Sequence, residues 1–166
     1  GTDRTLLGGF SGDDDPASIT LTGDMSVSVY RIDAEGDSKI DYTLSLDDAG
    51  EVIKAVYSYV WRDGVETNDT LTVEQTNLAT GEAVGFIQYA EYTTATGSTR
   101  TRISYMWYFD DEGRTEYRYY YYQSAQSDTV AFTVSSHTQS KAAGFHDGVI
   151  PTTLTLTDVT LIVYRS

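Results

Sequence analysis

The feature that most constrains this chain is a turn that recurs between runs of alternating residues. Asp33-Ala34-Glu35-Gly36, Asp47-Asp48-Ala49-Gly50 and Asp110-Asp111-Glu112-Gly113 all read Asp-x-x-Gly. Asp supplies a short side-chain acceptor for the turn backbone, and Gly takes the positive φ that closes a tight hairpin. Asp63-Gly64 is a two-residue hairpin signal, and Asn77–Gly81 and Thr96-Gly97-Ser98 are slightly longer versions. A chain punctuated this way folds back on itself every ten residues or so, so neighbouring strands run antiparallel.

The runs between the turns are rich in Val, Ile, Thr, Tyr and Trp and alternate with period 2, as half-buried strands do. They predict strands near 18–32, 38–46, 52–62, 65–76, 83–92, 99–109, 115–123, 128–136 and 152–164. Proline occurs only at 16 and 151, and no stretch has a helical period. Residues 1–17 are rich in Gly, Ser and Asp and read as a flexible acidic leader, leaving 18–166 as one domain. A meander this long has two exposed edges unless it closes. The expected architecture is an all-β antiparallel up-and-down barrel of calycin-like shape, with a two-sheet β-sandwich as the alternative. The barrel is similar to lipocalins in shape alone, since the Gly-x-Trp signature many of them carry near the first strand is missing. A small outer-membrane barrel is disfavoured by short turns and by Arg100, Arg102, Arg118, Glu74 and Glu91 within strands.

The hairpin over 99–123 fixes a detailed register. If Asp110 faces Arg114, then Phe109 faces Thr115, Trp107 faces Tyr117, Tyr105 faces Tyr119 and Ile103 faces Tyr121. One face of the hairpin is then aromatic and nearly uncharged. The other carries Arg102, Ser104, Met106 and Tyr108 beside Glu116, Arg118, Tyr120 and Tyr122. Across the preceding hairpin, Glu91 is expected to face Arg100, and Tyr89 to face Arg102.

Charge and composition exclude several functions. Acids number 25 against 11 bases, a formal charge of -14. Nucleic-acid phosphates and anionic membrane surfaces are repelled by such a surface. The absence of cysteine excludes disulfides and thiolate chemistry. Only two histidines exist, His137 and His146, read as surface residues, and neither sits in a pattern for a triad or a metal site. No metal or cofactor is expected. The start lacks the basic and apolar regions of a signal peptide, so the expectation is a soluble protein, cytoplasmic or secreted with its signal removed.

The strongest signal is the tyrosine-rich face. Buried phenols need partners, which water or a ligand in a cavity supplies. The expected ligand-binding set is Trp107, Tyr105, Tyr117, Tyr119 and Tyr121 with Phe86, a second aromatic strand bearing Trp61 and Tyr59, and Phe145 and His146 from the long link between Thr138 and Pro151. In that link Phe145 is expected to cap the barrel, with His146 near the entrance. The leading expectation is a barrel binding a small apolar or aromatic ligand. A barrel cyclase or isomerase acting by preorganisation is one alternative. A structural or adhesive sandwich binding protein or carbohydrate is the other. Oligomeric state, monomer or dimer, is left open.

Overall fold

The structure is a computed structural model that describes residues 20–154 and 157–165. Nine strands form one antiparallel sheet in which spatial order equals chain order. They are β1 (Ser26–Ile32), β2 (Ser38–Leu46), β3 (Val52–Arg62), β4 (Val65–Asn77), β5 (Ala83–Thr93), β6 (Thr99–Phe109), β7 (Thr115–Tyr122), β8 (Val130–Ser136) and β9 (Val159–Val163). One turn of helix, α1 (Gln139–Ala142), interrupts the link between β8 and β9.

The turns work as their sequence predicts. Asp110 Oδ1 accepts the backbone N–H groups of Glu112 and Arg114, and Gly113 sits at φ 78° and donates to the Asp110 carbonyl. Asp33 and Asp47 repeat this pattern. Asp63 and Gly64 both have positive φ, as a type I′ turn requires.

Thr94-Ala95-Thr96-Gly97 is a further copy of the same turn. The Thr94 hydroxyl accepts the Ser98 N–H at 3.1 Å, the role Asp plays elsewhere. This corrects the register of that hairpin by one residue. Tyr92 faces Arg100, Glu91 faces Thr101 and Tyr89 faces Ile103. Glu91 therefore pairs with Arg62 and Arg100 with Asp69, in place of the expected Glu91–Arg100 pair.

Two strands are shorter than expected. A turn at Thr22–Met25, with Gly23 at φ 59°, separates β1 from the residues before it. Asp158, at φ 59°, turns the chain immediately before β9, so the extended run begins at Val159 and not at 152. Residues 18 and 19 of the first expected strand, and the leader at 1–17, lie outside the described residues.

The sheet stays open among the described residues: β1 pairs only with β2, and β9 only with β8. The burial that closure would supply comes, at the C-terminal end, from the strap between β8 and β9. Tyr121, Phe132, Val134 and Ala142 form a buried cluster there, with Phe145, Val159 and Leu161 packed around it. Phe132 and Val134 are completely buried. The strap thus gives the last three strands a two-layer core, whereas most strand residues elsewhere are only half-buried.

Candidate functional site

Strand register assembles a continuous band of rings. Phe86 faces Trp107, which faces Tyr117; Gln88 faces Tyr105, which faces Tyr119. The Tyr105 and Tyr119 rings stack with centroids 5.0 Å apart, Phe86 tilts against Tyr105 at 6.0 Å, and Trp107 meets Phe109 edge-on at 5.7 Å. Phe86, Tyr105, Trp107, Tyr117 and Tyr119 are half-buried and Phe109 is exposed, so the outer edges of the band meet solvent. Tyr121 continues the band into the core, stacked on Phe132 at 4.8 Å and met edge-on by Phe145 at 5.7 Å. The hairpin register expected from the Asp110 turn is therefore correct for its first three pairs.

The fourth pair, Ile103 with Tyr121, is absent from the ladder, which stops at Tyr105–Tyr119. Beyond that point β6 and β7 part, and the strap enters the gap. The Tyr122 N–H donates to Asp147 Oδ1 at 2.8 Å, and the Gly148 N–H donates to the Tyr122 carbonyl at 2.7 Å. Asp147 and Gly148 so supply the ladder partners that β6 does not. Gly148 is required here: its φ is 72°, and a Cβ would lie 2.9 Å from the Gln123 carbonyl oxygen. Arg102 fastens the wedge. Its guanidinium donates to Asp147 Oδ2 at 2.7 Å and to the Ser124 and Ser127 carbonyls, and it lies over the Tyr122 ring at 4.1 Å and the Tyr92 ring at 4.7 Å.

The parting leaves an open slot of about 300 Å³. Its walls are Ser104 and the consecutive residues Tyr119, Tyr120, Tyr121 and Tyr122, and its mouth is Gly144, Phe145 and His146. Consecutive residues normally point to opposite faces of a strand. All four line one opening because the sheet is split at this point. Burial holds two of these phenols neutral, pushing Tyr121 up to about 12 and raising Tyr122 above the ordinary range. The Tyr121 hydroxyl donates to the Ala142 carbonyl at 2.7 Å, the Tyr122 hydroxyl donates to the Ile103 carbonyl at 2.5 Å, and the Tyr119 hydroxyl accepts Gln139 Nε2 at 2.8 Å.

The expected ligand-binding residues thus fall into three groups. Tyr119, Tyr121, Phe145 and His146 meet at the slot. Phe86, Tyr105, Trp107 and Tyr117 form the adjoining ring face. Tyr59 and Trp61 belong to neither group. Two register irregularities in β3, at Ser58/Tyr59 and Tyr59/Trp61, break the alternation that was expected to align them. Trp61 is 61% exposed. Tyr59 is buried two strands from the ring face, donates to the Ile40 carbonyl at 2.8 Å, and sits beside Lys39, which bridges Asp33 and Glu66. Phe145 caps a slot in the sheet, where a barrel mouth was expected.

Tyr120, Tyr122, Arg102 and Asp147 were missed as members of the site. Their places depend on the split between β6 and β7, and a period-2 reading carries the ladder straight through it. The available signal was Asp147-Gly148, a turn dipeptide inside the one long link. His137 has partners that the sequence did not indicate: its ring is held between Asp110 and Asp158. Among the described residues no group of three or more His, Cys, Asp or Glu side chains is placed to hold a metal ion. No described helix is long and apolar enough to cross a membrane. No family model, no curated protein and no solved structure matches this chain.

Proposed function

We propose that this chain is a non-enzymatic binding module that takes a small, largely apolar or aromatic ligand at the slot between β6 and β7. The observation that carries this reading is the convergence of four consecutive tyrosines on one opening beside a half-buried ring face. Tyr119 and Tyr121 form the wall, Phe145 the flap at the mouth, and His146 the exposed polar group beside it. Tyrosine walls suit planar molecules, because the ring stacks while the hydroxyl keeps a hydrogen bond. The charged pair at the slot, Arg102 with Asp147, is already engaged, which leaves ring surface and neutral polar groups for a ligand. The site is an opening in an open sheet, and the reading needs no closed lumen.

The test uses a neutral planar probe, N-phenyl-1-naphthylamine, followed by its fluorescence and by energy transfer from tryptophan. The probe is expected to bind the wild type, to bind Tyr119→Ala and Phe145→Ala more weakly, and to bind Trp61→Phe unchanged. Equal binding to all four proteins, with the two slot variants still folded, would remove the slot from the account.

A second reading, a module that contacts another protein, is favoured by apolar side chains exposed on both edge strands: Tyr30 and Ile32 on β1, Ile162 and Val163 on β9. Sedimentation at rising concentration separates the two readings, since the first predicts a monomer that still binds the probe.

A further inference from the structure

We propose that His137 is a proton-operated latch that fastens the strap and the start of β9 to the β6–β7 turn. His137 follows directly on β8 and precedes the strap. Its Nε2 lies 2.8 Å from Asp110 Oδ2, and its Nδ1 is hydrogen-bonded to Asp158 Oδ1. Carboxylate oxygens only accept, so both ring nitrogens must donate, and only the imidazolium form carries both protons. Loss of one proton leaves one nitrogen with a lone pair facing a carboxylate, and that contact turns repulsive.

The anchor side of the latch is rigid. Asp110 accepts two backbone N–H groups and the Arg114 Nε at 3.1 Å, so it stays in place whatever the state of the ring. The moving side is Asp158, in the positive-φ turn that leads into β9, where its other oxygen accepts the Ser136 hydroxyl at 3.4 Å. The remaining charges nearby are few. Arg114 opposes the imidazolium and is itself shared with Glu112 at 3.1 Å, and Lys141 of α1 attracts Asp158 and donates to the Thr157 carbonyl at 3.3 Å.

The direction of the effect follows from the partners. Hydrogen bonds donated to Asp158 and then to Asp110 raise the His137 pKa above its ordinary value, against burial and Arg114. A raised pKa means that the contribution of the latch is complete below the unfolded histidine value of about 6.5 and is lost as pH rises through the folded value. The two carboxyls are lowered, Asp110 to about 2, so they stay ionised and their share fails only in acid. The latch is therefore closed at mildly acidic pH and opens on the alkaline side. Release frees β9, which pairs only with β8 among the described residues, and slackens the strap whose Gln139 holds Tyr119.

This inference does not depend on ligand binding at the slot. Its test is a proton NMR titration of the His137 ring in the wild type, with amide exchange of residues 159–163 measured across the same pH range and corrected for intrinsic rates. His137 is expected to titrate above the ordinary histidine value of about 6.5, and protection of β9 is expected to be lost through the His137 midpoint while β3 and β4 keep theirs. In His137→Gln, which is permanently neutral, that step in protection should vanish. If His137 titrates at or below the ordinary value of about 6.5, or if wild-type β9 protection is flat across the His137 titration, the latch is wrong. Should His137→Gln fail to fold, the wild-type titration decides alone.

Discussion

The strap is held to the sheet at several points, and Tyr121→Phe measures what one of them, a buried hydroxyl, contributes. Tyr121 is 6% exposed, and its hydroxyl donates to the Ala142 carbonyl at 2.7 Å and accepts the Phe145 N–H at 3.4 Å. The substitution keeps the ring, its stack on Phe132 and its edge contact with Phe145. It removes only the oxygen, which strands the carbonyl of Ala142, itself completely buried. An acceptor left without a partner in such a place costs about 1–3 kcal/mol. The second bond is long and adds little. The expected loss is therefore about 1–3 kcal/mol, or about 2–4 °C of melting temperature for each kcal/mol in a domain of this size. Removing the whole packing partner sets the scale: Phe132→Ala should lose about 3–5 kcal/mol. Equilibrium urea unfolding followed by circular dichroism gives both values, with Tyr117→Phe on the same face of β7 as the half-buried control. A Tyr121→Phe protein within about 0.5 kcal/mol of wild type, the scatter of ordinary surface substitutions, would refute the reasoning that this hydroxyl holds the strap.

Other outcomes follow from the same geometry. Spectrophotometric titration of the tyrosines should be spread out, with Tyr108 and Tyr121 pushed by burial to about 12 and Tyr122 also late. Because these pKa values are raised, the neutral phenols stabilise the fold below the unfolded value of about 10, and stability should fall as pH climbs past it. Acrylamide should quench Trp61 freely and half-buried Trp107 less, as Trp61→Phe and Trp107→Phe single-tryptophan proteins can show. With a formal charge of -14, the melting temperature should rise as salt is added from low to moderate concentration.

The strand order and most strand boundaries were legible because they rest on local chemistry. Asp110 binds the backbone N–H groups two and four residues further on whatever the rest of the chain does, and that alone sets Phe109 against Thr115 and Tyr105 against Tyr119. The Thr94 turn was read one residue out because a hydroxyl does less visibly what a carboxylate does at Asp33, Asp47 and Asp110. The ring face was legible for the same reason as the register. Its partition was not. Whether Tyr59 and Trp61 join it depends on bulges in β3, and a bulge has no marker in a run such as Ser58-Tyr59-Val60-Trp61.

The slot lay furthest from the sequence. It exists because residues 147 and 148 replace part of β6 as the partner of Tyr122, a contact between positions 25 residues apart in the chain. The long link did advertise itself as more than a connection, through Phe145, His146 and the turn dipeptide after them. What it wedges open follows from the competition between two sets of hydrogen-bond partners for one strand, which no local pattern encodes. The openness of the sheet has a similar origin. A meander can close only if its first and last strands find each other, and among the described residues a strap covers the last strands instead.

The most direct measurement of the central claim is a ¹H–¹⁵N correlation spectrum of the wild-type protein titrated with N-phenyl-1-naphthylamine. The account predicts concentration-dependent shifts confined to residues 102–104, 119–122 and 144–148, with smaller changes along Tyr105 and Trp107 and none in β1 to β3. Saturable shifts centred elsewhere, or no shifts at any concentration the probe allows, would contradict it.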